Sequence, residues 1–384
     1  MQLPSEHDET APRTGTKIRI LAGKLFNSDT LTFSENQVID VDQESGLIVD
    51  VRNWSGEEEN GEDGKSQIID LRRMTILPGF VDVHVHRPKS SIYPHQEGIN
   101  GVVGAESADG VDGCVREVRK QIGTGADWVK IYADYKPRSR ILDVSPSNSG
   151  RSISTFNDSE LRAMIDTVHS YGVKIAAHAQ ALSSFKRLLR LGIDSIEHPV
   201  LDYGSDPQAD AIDNLFSDWT SQDHTTFWVP TLAVIYKMKE FTGGKDTRAN
   251  AAWERSAHMF KRALEVGFDK IACGGDTGAF PHGENALELK LMVELGADIR
   301  KVLRWATLSG WECLRDLNWE MTGAISLPLG DNDVRFGCIK SGWAADIIAI
   351  DSEDIEREFE HALERVVFVM KGGKIYKGGE IGSS

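Results

Sequence analysis

The stretch Leu77–Arg87 reads LPGFVDVHVHR. A proline and a glycine punctuate its start, and the residues after them alternate strictly. In an extended strand successive side chains point to opposite faces. Phe80, Asp82, His84 and His86 therefore share one side, and Val81, Val83 and Val85 the other. Two imidazoles two residues apart at the end of a buried strand can reach one metal ion together. The competing reading is a strand whose polar side faces solvent. The flanking valines and the Leu-Pro-Gly turn argue against it.

Upstream of this stretch the chain reads as short strands and turns: KIRILAGKLF, QVIDVDQ, LIVDVRNW and QIIDL. Alternating Ile18, Ile20 and Val38 predict half-buried β structure. Residues 1–16 read as a disordered tail, and the acidic run Glu57–Lys65 as a solvated loop. Downstream the texture changes. Apolar runs of strand length alternate with amphipathic helices, predicted over Ala108–Ile122, Asp158–Gly172, Leu182–Leu191, Asn285–Leu295 and Asp298–Leu308. That alternation predicts βαβ units and a parallel sheet. The C-terminal runs ADIIAID and VVFVMKGGKIYKGG return to β texture, with a hairpin at GGK. The expected organisation is a disordered tail (1–16), a small β-sandwich domain built from both chain ends (17–77 plus 338–380), and a hydrolase barrel (78–337).

Composition narrows the function classes. With 384 residues the chain can bury one large core. A formal net charge of −16 repels phosphate backbones, which argues against a nucleic-acid partner. No apolar run approaches the roughly 18 residues of a membrane helix, so no membrane partner is expected. The polar start carries no secretory signal, so the expected compartment is cytoplasmic. Cys114, Cys273, Cys313 and Cys338 are far apart and suggest neither a disulfide framework nor a zinc knuckle.

Further candidates for chemistry follow the same strand logic. Lys130 and Tyr132 share one face of WVKIYAD. Alone, Lys130 reads as an exposed edge-strand lysine. His178 ends VKIAAHAQ and His198 ends IDSIEHP; singly each reads as a core histidine. Asp276 in IACGGDTG is flanked by small residues that leave its carboxylate room, though alone it reads as a turn aspartate. Taken together, His84, His86, Lys130, His178, His198 and Asp276 each fall near the C-terminal end of a strand in a β/α pattern. In a barrel that end carries the active site. Imidazoles and carboxylates in one mouth make a first-row metal site.

These six residues, in this order, resemble the binuclear metal-dependent amidohydrolase superfamily. LPGFVDVHVH is similar to the family's first-strand signature, and GADWVKIYAD to the fourth-strand segment whose lysine is carboxylated. AAHAQ and SIEHP are similar to the fifth- and sixth-strand histidine segments, and GGDTG to the eighth-strand aspartate. HGENALELKLMVELGAD and SGWAADIIAID with MKGGKIYKGG resemble the imidazolonepropionase-like and Xaa-Pro dipeptidase-like branch. The resemblance covers roughly residues 70–376.

The resemblance implies an α/β fold with a (β/α)8 TIM-like barrel and two divalent metal ions, with zinc expected. His84 and His86 would hold the more buried ion, His178 and His198 the second, and a carbamylated Lys130 would bridge them. Asp276 would be ligand and general base in hydrolysis of a small-molecule amide, cyclic amide or dipeptide. Arg138, in the basic KPRSR segment, could meet a substrate carboxylate, although a solvated basic loop is the simpler reading. Tyr132 and His282 are further substrate-binding candidates. The resemblance leaves room for a homo-oligomer.

One departure matters. Lys130 lies 44 positions after His86. Two complete β/α units and the approach to the next strand need about 75 residues, at about 25–30 per unit. Only GVVGAE and the Ala108–Ile122 helix are candidates for that interval. RPKSSIYPHQEGIN does not read as a β/α unit. The barrel is therefore expected to miss part of its first half, through genuine loss or an erroneous gene model. Two alternatives follow: a catalytically impaired or non-enzymatic protein of the same fold, and a mononuclear deaminase. Against the deaminase stands Lys130, since a bridging carbamate serves two ions.

Overall fold

The computed structural model describes residues 17–55, 67–86, 106–135, 152–204, 208–221, 225–315 and 334–379. The expectations for the tail, the acidic loop, most of GVVGAE, the RPKSS segment and Arg138 lie outside the described residues. In chain order the strands are β1 (Lys17–Asn27), β2 (Thr32–Asp42), β3 (Leu47–Asn53), β4 (Gln67–Pro78), β5 (Trp128–Tyr132), β6 (Asp134–Tyr135), β7 (Ile153–Ser154), β8 (Lys174–His178), β9 (Ser195–Glu197), β10 (Phe227–Val229), β11 (Ile347–Ile350), β12 (Val366–Lys371) and β13 (Lys374–Lys377). The described residues fall into two compact units. One comprises those up to Gly79 together with those from Val334 on, the other those between.

In the first unit, strands from both chain ends hydrogen-bond as one mixed sheet, ordered β13-β12-β11-β4-β1-β2-β3. They do not form two separate sheets, as a sandwich would. β1 and β4 run parallel, and the other pairs are antiparallel. The sheet bends where the register shifts between Ala22 and Lys24. Its β3 edge reaches the residues leading into β11: Ile48 N–H donates to the Trp343 carbonyl at 2.9 Å, and Ala345 N–H to that of Gly46 at 2.9 Å. One curled sheet thus encloses its own core, which draws Ile18, Ile20, Ile39, Ile48, Ile69, Ile347 and Phe368 from six strands. On β1 the period-2 pattern puts Ile18 and Ile20 inward. Arg19 forms a two-pronged pair with Asp40 at 2.7 and 3.1 Å.

In the second unit, β5, β8, β9 and β10 pair in parallel in the order β10-β9-β8-β5. Two further extended segments continue this ladder. Residues 270–272 join β10 through Trp228 N–H to the Lys270 carbonyl at 2.8 Å and Ala272 N–H to that of Trp228 at 3.1 Å. The His84/His86 segment joins next, through Val83 N–H to the Cys273 carbonyl at 2.9 Å and His86 N–H to that of Thr277 at 2.7 Å. Among the described residues no strand lies between β5 and the His84/His86 segment, where the sequence is short.

Helices separate the strands close to where the patterns predict them: Gly110–Gly123, Asp158–Ser170, Leu182–Leu191, Ala286–Glu294 and Ile299–Trp305. The Asp158–Ser170 helix starts on a full capping box, in which Asn157 and Glu160 each satisfy the other's backbone N–H. It buries Leu161, Met164, Ile165 and Val168, the i, i+3, i+4, i+7 face read from the sequence.

Candidate functional site

The ladder fixes where the candidate side chains lie. Pairing of the His84/His86 segment with residues 273–277 sets Asp276 opposite both imidazoles. Its Oδ1 lies 3.0 Å from His86 Nε2 and 3.4 Å from His84 Nε2. Two glycines permit this approach. A Cβ on Gly274 would stand 2.6 Å from Val229 Cγ1 and 2.7 Å from His84 Cβ. One on Gly278 would stand 2.7 Å from His86 Cβ.

His198 follows β9 and packs edge-on against His84, ring centroids 5.0 Å apart, and against His178 at 4.4 Å. One ligand atom each from His84, His198 and Asp276 lies within 4.8 Å of the others. His198, Asp276 and Thr231 have left-handed backbones, with φ of 78°, 59° and 48°; they are three of five such non-glycine residues described. Strain of this kind gathers at functional sites because neighbouring structure must impose it.

The outward ring nitrogens are engaged. Nδ1 of His84 lies 2.5 Å from Glu197 Oε2, and the other Glu197 oxygen accepts from the Ser195 hydroxyl. Nδ1 of His198 lies 2.8 Å from Thr231 Oγ1. A second partner of this kind fixes tautomer and ring direction, leaving Nε2 for an ion. Two neutralisable imidazoles, each held from behind, and a carboxylate form a donor set that suits a divalent ion such as zinc.

Lys130 joins the cluster through its charge. It leaves the strand on the face opposite buried Val129 and Ile131 and keeps an exposed surface. Desolvation nevertheless pulls its pKa down, against Glu197 and Asp276. Exposure of the residue's surface and crowding by neighbouring protein thus coexist at this position. The same charge reaches the histidines. Burial and Lys130 both disfavour the imidazolium of His178, whose pKa falls to about 3. His198 is likewise pushed well down by burial and by its imidazole neighbours. At His84, burial and Lys130 are outweighed by Asp276 and Glu197, and the pKa rises to about 9. Burial works to raise Asp276, but His84 and the hydrogen bonds from His84 and His86 hold it well below the usual carboxylate range.

Tyr132 stands 5.3 Å from the His178 ring, with Tyr135 5.6 Å from both. His282 is exposed, and no described ring contact joins it to the cluster. The motifs did not single out Glu197, Thr231, Tyr135 or the pair Asp82–Asn285. Asn285 Nδ2 donates to Asp82 at 2.6 Å, and the other Asp82 oxygen accepts from His84 N–H at 3.1 Å and from Gly275 N–H at 3.3 Å. Period 2 offered the signal for two of them, since Asp82 shares a face with His84, and Glu197 shares one with Ser195.

No family model matches the sequence. The ochratoxinase of Aspergillus niger is 26% identical over 282 residues, which is 72% of this chain and 51% of that protein. The chain thus spans about half the length of the curated relatives it matches. Among solved structures, a Xaa-Pro dipeptidase with methionine bound in its active site superposes with a TM-score of 0.72 at 22% identity, covering 94% of this chain and 100% of that one. The structure of A. niger ochratoxinase gives 0.69 at 17%, covering 95% and 96%. The fold is that of these proteins, and the likenesses agree with the resemblance to the amidohydrolase superfamily on its Xaa-Pro dipeptidase-like side. No described helix is long and apolar enough to cross a membrane.

Proposed function

We propose that the chain is a metal-dependent hydrolase of carbon–nitrogen bonds in a small amide, cyclic amide or dipeptide, acting in the cytoplasm. The observation that carries this reading is the convergence of His84, His198 and Asp276 ligand atoms within 4.8 Å. In this reading the parallel ladder is the preserved part of a TIM-like barrel spanning 78–337. Residues 17–77 with 338–380 form the accessory domain.

His84, His86, His178, His198, Asp276 and a carbamylated Lys130 would hold two divalent ions, with zinc the expected metal. When bound, the ions supply Lewis acidity toward water and the scissile carbonyl. Carbamylation turns the desolvated Lys130 ammonium into an anionic ligand and removes the cost of its crowding. Asp276, kept ionised by His84 and His86, takes a proton from the attacking water and delivers it to the departing nitrogen. Water adds to the carbonyl carbon, the C–N bond breaks, and a carboxylic acid and an amine leave. Tyr132 and Tyr135 offer an aromatic wall beside His178 for the substrate's side chain.

A mononuclear deaminase is the second reading, favoured by the compact three-ligand group His84, His198 and Asp276. Metal content decides between them: about two ions per chain for the first reading and about one for the second. Asp276→Asn should keep most of the bound metal and lose turnover of N-acyl amino acids and dipeptides by about 100-fold or more. Wild-type protein that binds no divalent ion and cleaves no member of such a panel would refute both readings.

A further inference from the structure

Helix Leu232–Phe241 begins in an unusual way. Its N-cap residue, Thr231, is of a type that normally accepts a hydrogen bond from the first turn's free N–H groups. Here the Thr231 side chain makes no such bond. Its backbone is left-handed and its hydroxyl lies 2.8 Å from His198 Nδ1. The helix end is instead satisfied from another helix. Glu288, only 1% exposed, accepts from Leu232 N–H at 3.0 Å with one oxygen and from Ala233 N–H at 2.6 Å with the other. At Ala233, Glu288 therefore performs the task that the Thr231 hydroxyl would otherwise perform.

We propose that Glu288 is a positioning residue for His198: by capping the 232–241 helix it frees the Thr231 hydroxyl to fix the imidazole. The inference rests on the reading of His198 as a metal ligand only where it concerns ion affinity; the geometry of the relay stands apart from it. Burial pushes the Glu288 carboxyl up to about 8, against the two backbone bonds. Each of its two oxygens keeps a lone pair for its own N–H in either protonation state, and the positive end of the helix dipole lies directly over it. Without Glu288, two groups compete for one hydroxyl: His198 Nδ1 and the Ala233 N–H, the second-position donor that an N-cap side chain reaches. The buried Leu232 and Ala233 N–H groups lose their acceptor, and the Thr231 hydroxyl is the acceptor that capping geometry supplies to Ala233. His198 would then lose the contact that sets its tautomer.

The test uses the full chain, metal-free and labelled with 15N-histidine, as wild type, Thr231→Val, Glu288→Met and the double variant. Wild type should show a slowly exchanging His198 Nδ1–H with the Nδ1-protonated tautomer. Both single variants should lose it or show mixed tautomers. Zinc affinity should fall by about tenfold in each, the scale for loss of a partner behind a ligating histidine. The double variant should be no worse than the more affected single one, because both act through one hydroxyl. If Glu288→Met gives no cooperative melt, Glu288→Gln carries the test, with one acceptor kept and a partial loss expected. A His198 signal and zinc affinity unchanged in the Glu288 variant, while Thr231→Val alters both, would overturn the proposal. Were wild type to bind no zinc while the His198 signal still followed Glu288, the metal reading would fail and the relay would stand.

Discussion

Gly274→Ala puts the closeness of the site strands to the test. The added methyl would meet Val229 Cγ1 at 2.6 Å, His84 Cβ at 2.7 Å and His84 N at 3.0 Å. Carbon pairs settle at about 3.5–4.0 Å, so each of the two neighbours must yield by about 1 Å. Gly274 is not among the glycines with left-handed backbone, so alanine incurs no conformational penalty there and the effect is purely steric. Overpacking of this kind costs about 1–3 kcal/mol. For a unit of this size, each kcal/mol moves the melting temperature by about 2–4 °C. The neighbour that gives way includes His84, so its distance to Asp276 changes with it. Calorimetric melting should fall by several degrees, and zinc affinity should drop together with stability. A Gly274→Ala protein with wild-type melting and wild-type zinc affinity would show that these strands are not pressed together as described.

His169 Nε2 lies 2.8 Å from Asp194 Oδ2, which also accepts from Ile175 N–H, and this bond raises the His169 pKa. The pair's stabilisation is complete below the unfolded value, about 6.5, and is lost as pH rises through the higher folded value. Urea unfolding of His169→Asn should therefore differ from wild type by up to about 1 kcal/mol at low pH and converge with it in base; a constant difference would contradict the assignment. All four cysteines are free and buried, and burial pushes the Cys313 thiol up to about 12. A thiol reagent should label native protein negligibly and react with four thiols in denaturant. Fast labelling of the native chain would contradict that burial.

What could be read from the sequence was what depends on short range. The alternation around Asp82, His84 and His86 fixes one face of an extended segment whatever lies beside it. The i, i+3, i+4, i+7 spacing of Leu161, Met164, Ile165 and Val168 fixes a helix face in the same way. Small residues around Asp276 announced room for its carboxylate, though not the close strand approach that Gly274 and Gly278 permit. Contacts between distant residues stayed hidden. Glu197 meets His84 across 113 positions, and Thr231 meets His198 across 33. The closure of the first unit's sheet was hidden for the same reason, because it rests on Gly46 and Ile48 meeting residues 343–345.

The short interval between His86 and Lys130 bears on barrel closure more than on the local geometry of the candidate ligands. All six candidates lie on one continuous ladder that never passes through residues 87–127. His84 and His86 bond to residues 276–277, and residues 270–272 bond to β10. β10 pairs with β9, next to His198; β9 pairs with β8, which carries His178; β8 pairs with β5, which carries Lys130. Each link is a backbone bond between neighbours in space, and two of the site's left-handed residues, Asp276 and His198, are each pinned by one. Asp276 N–H donates to the His84 carbonyl at 2.9 Å, and His198 N–H to that of Val229 at 2.9 Å. A loss between His86 and Lys130 therefore removes covering surface and exposes strand edges. It leaves in place the register that sets His84, His198 and Asp276 against one another.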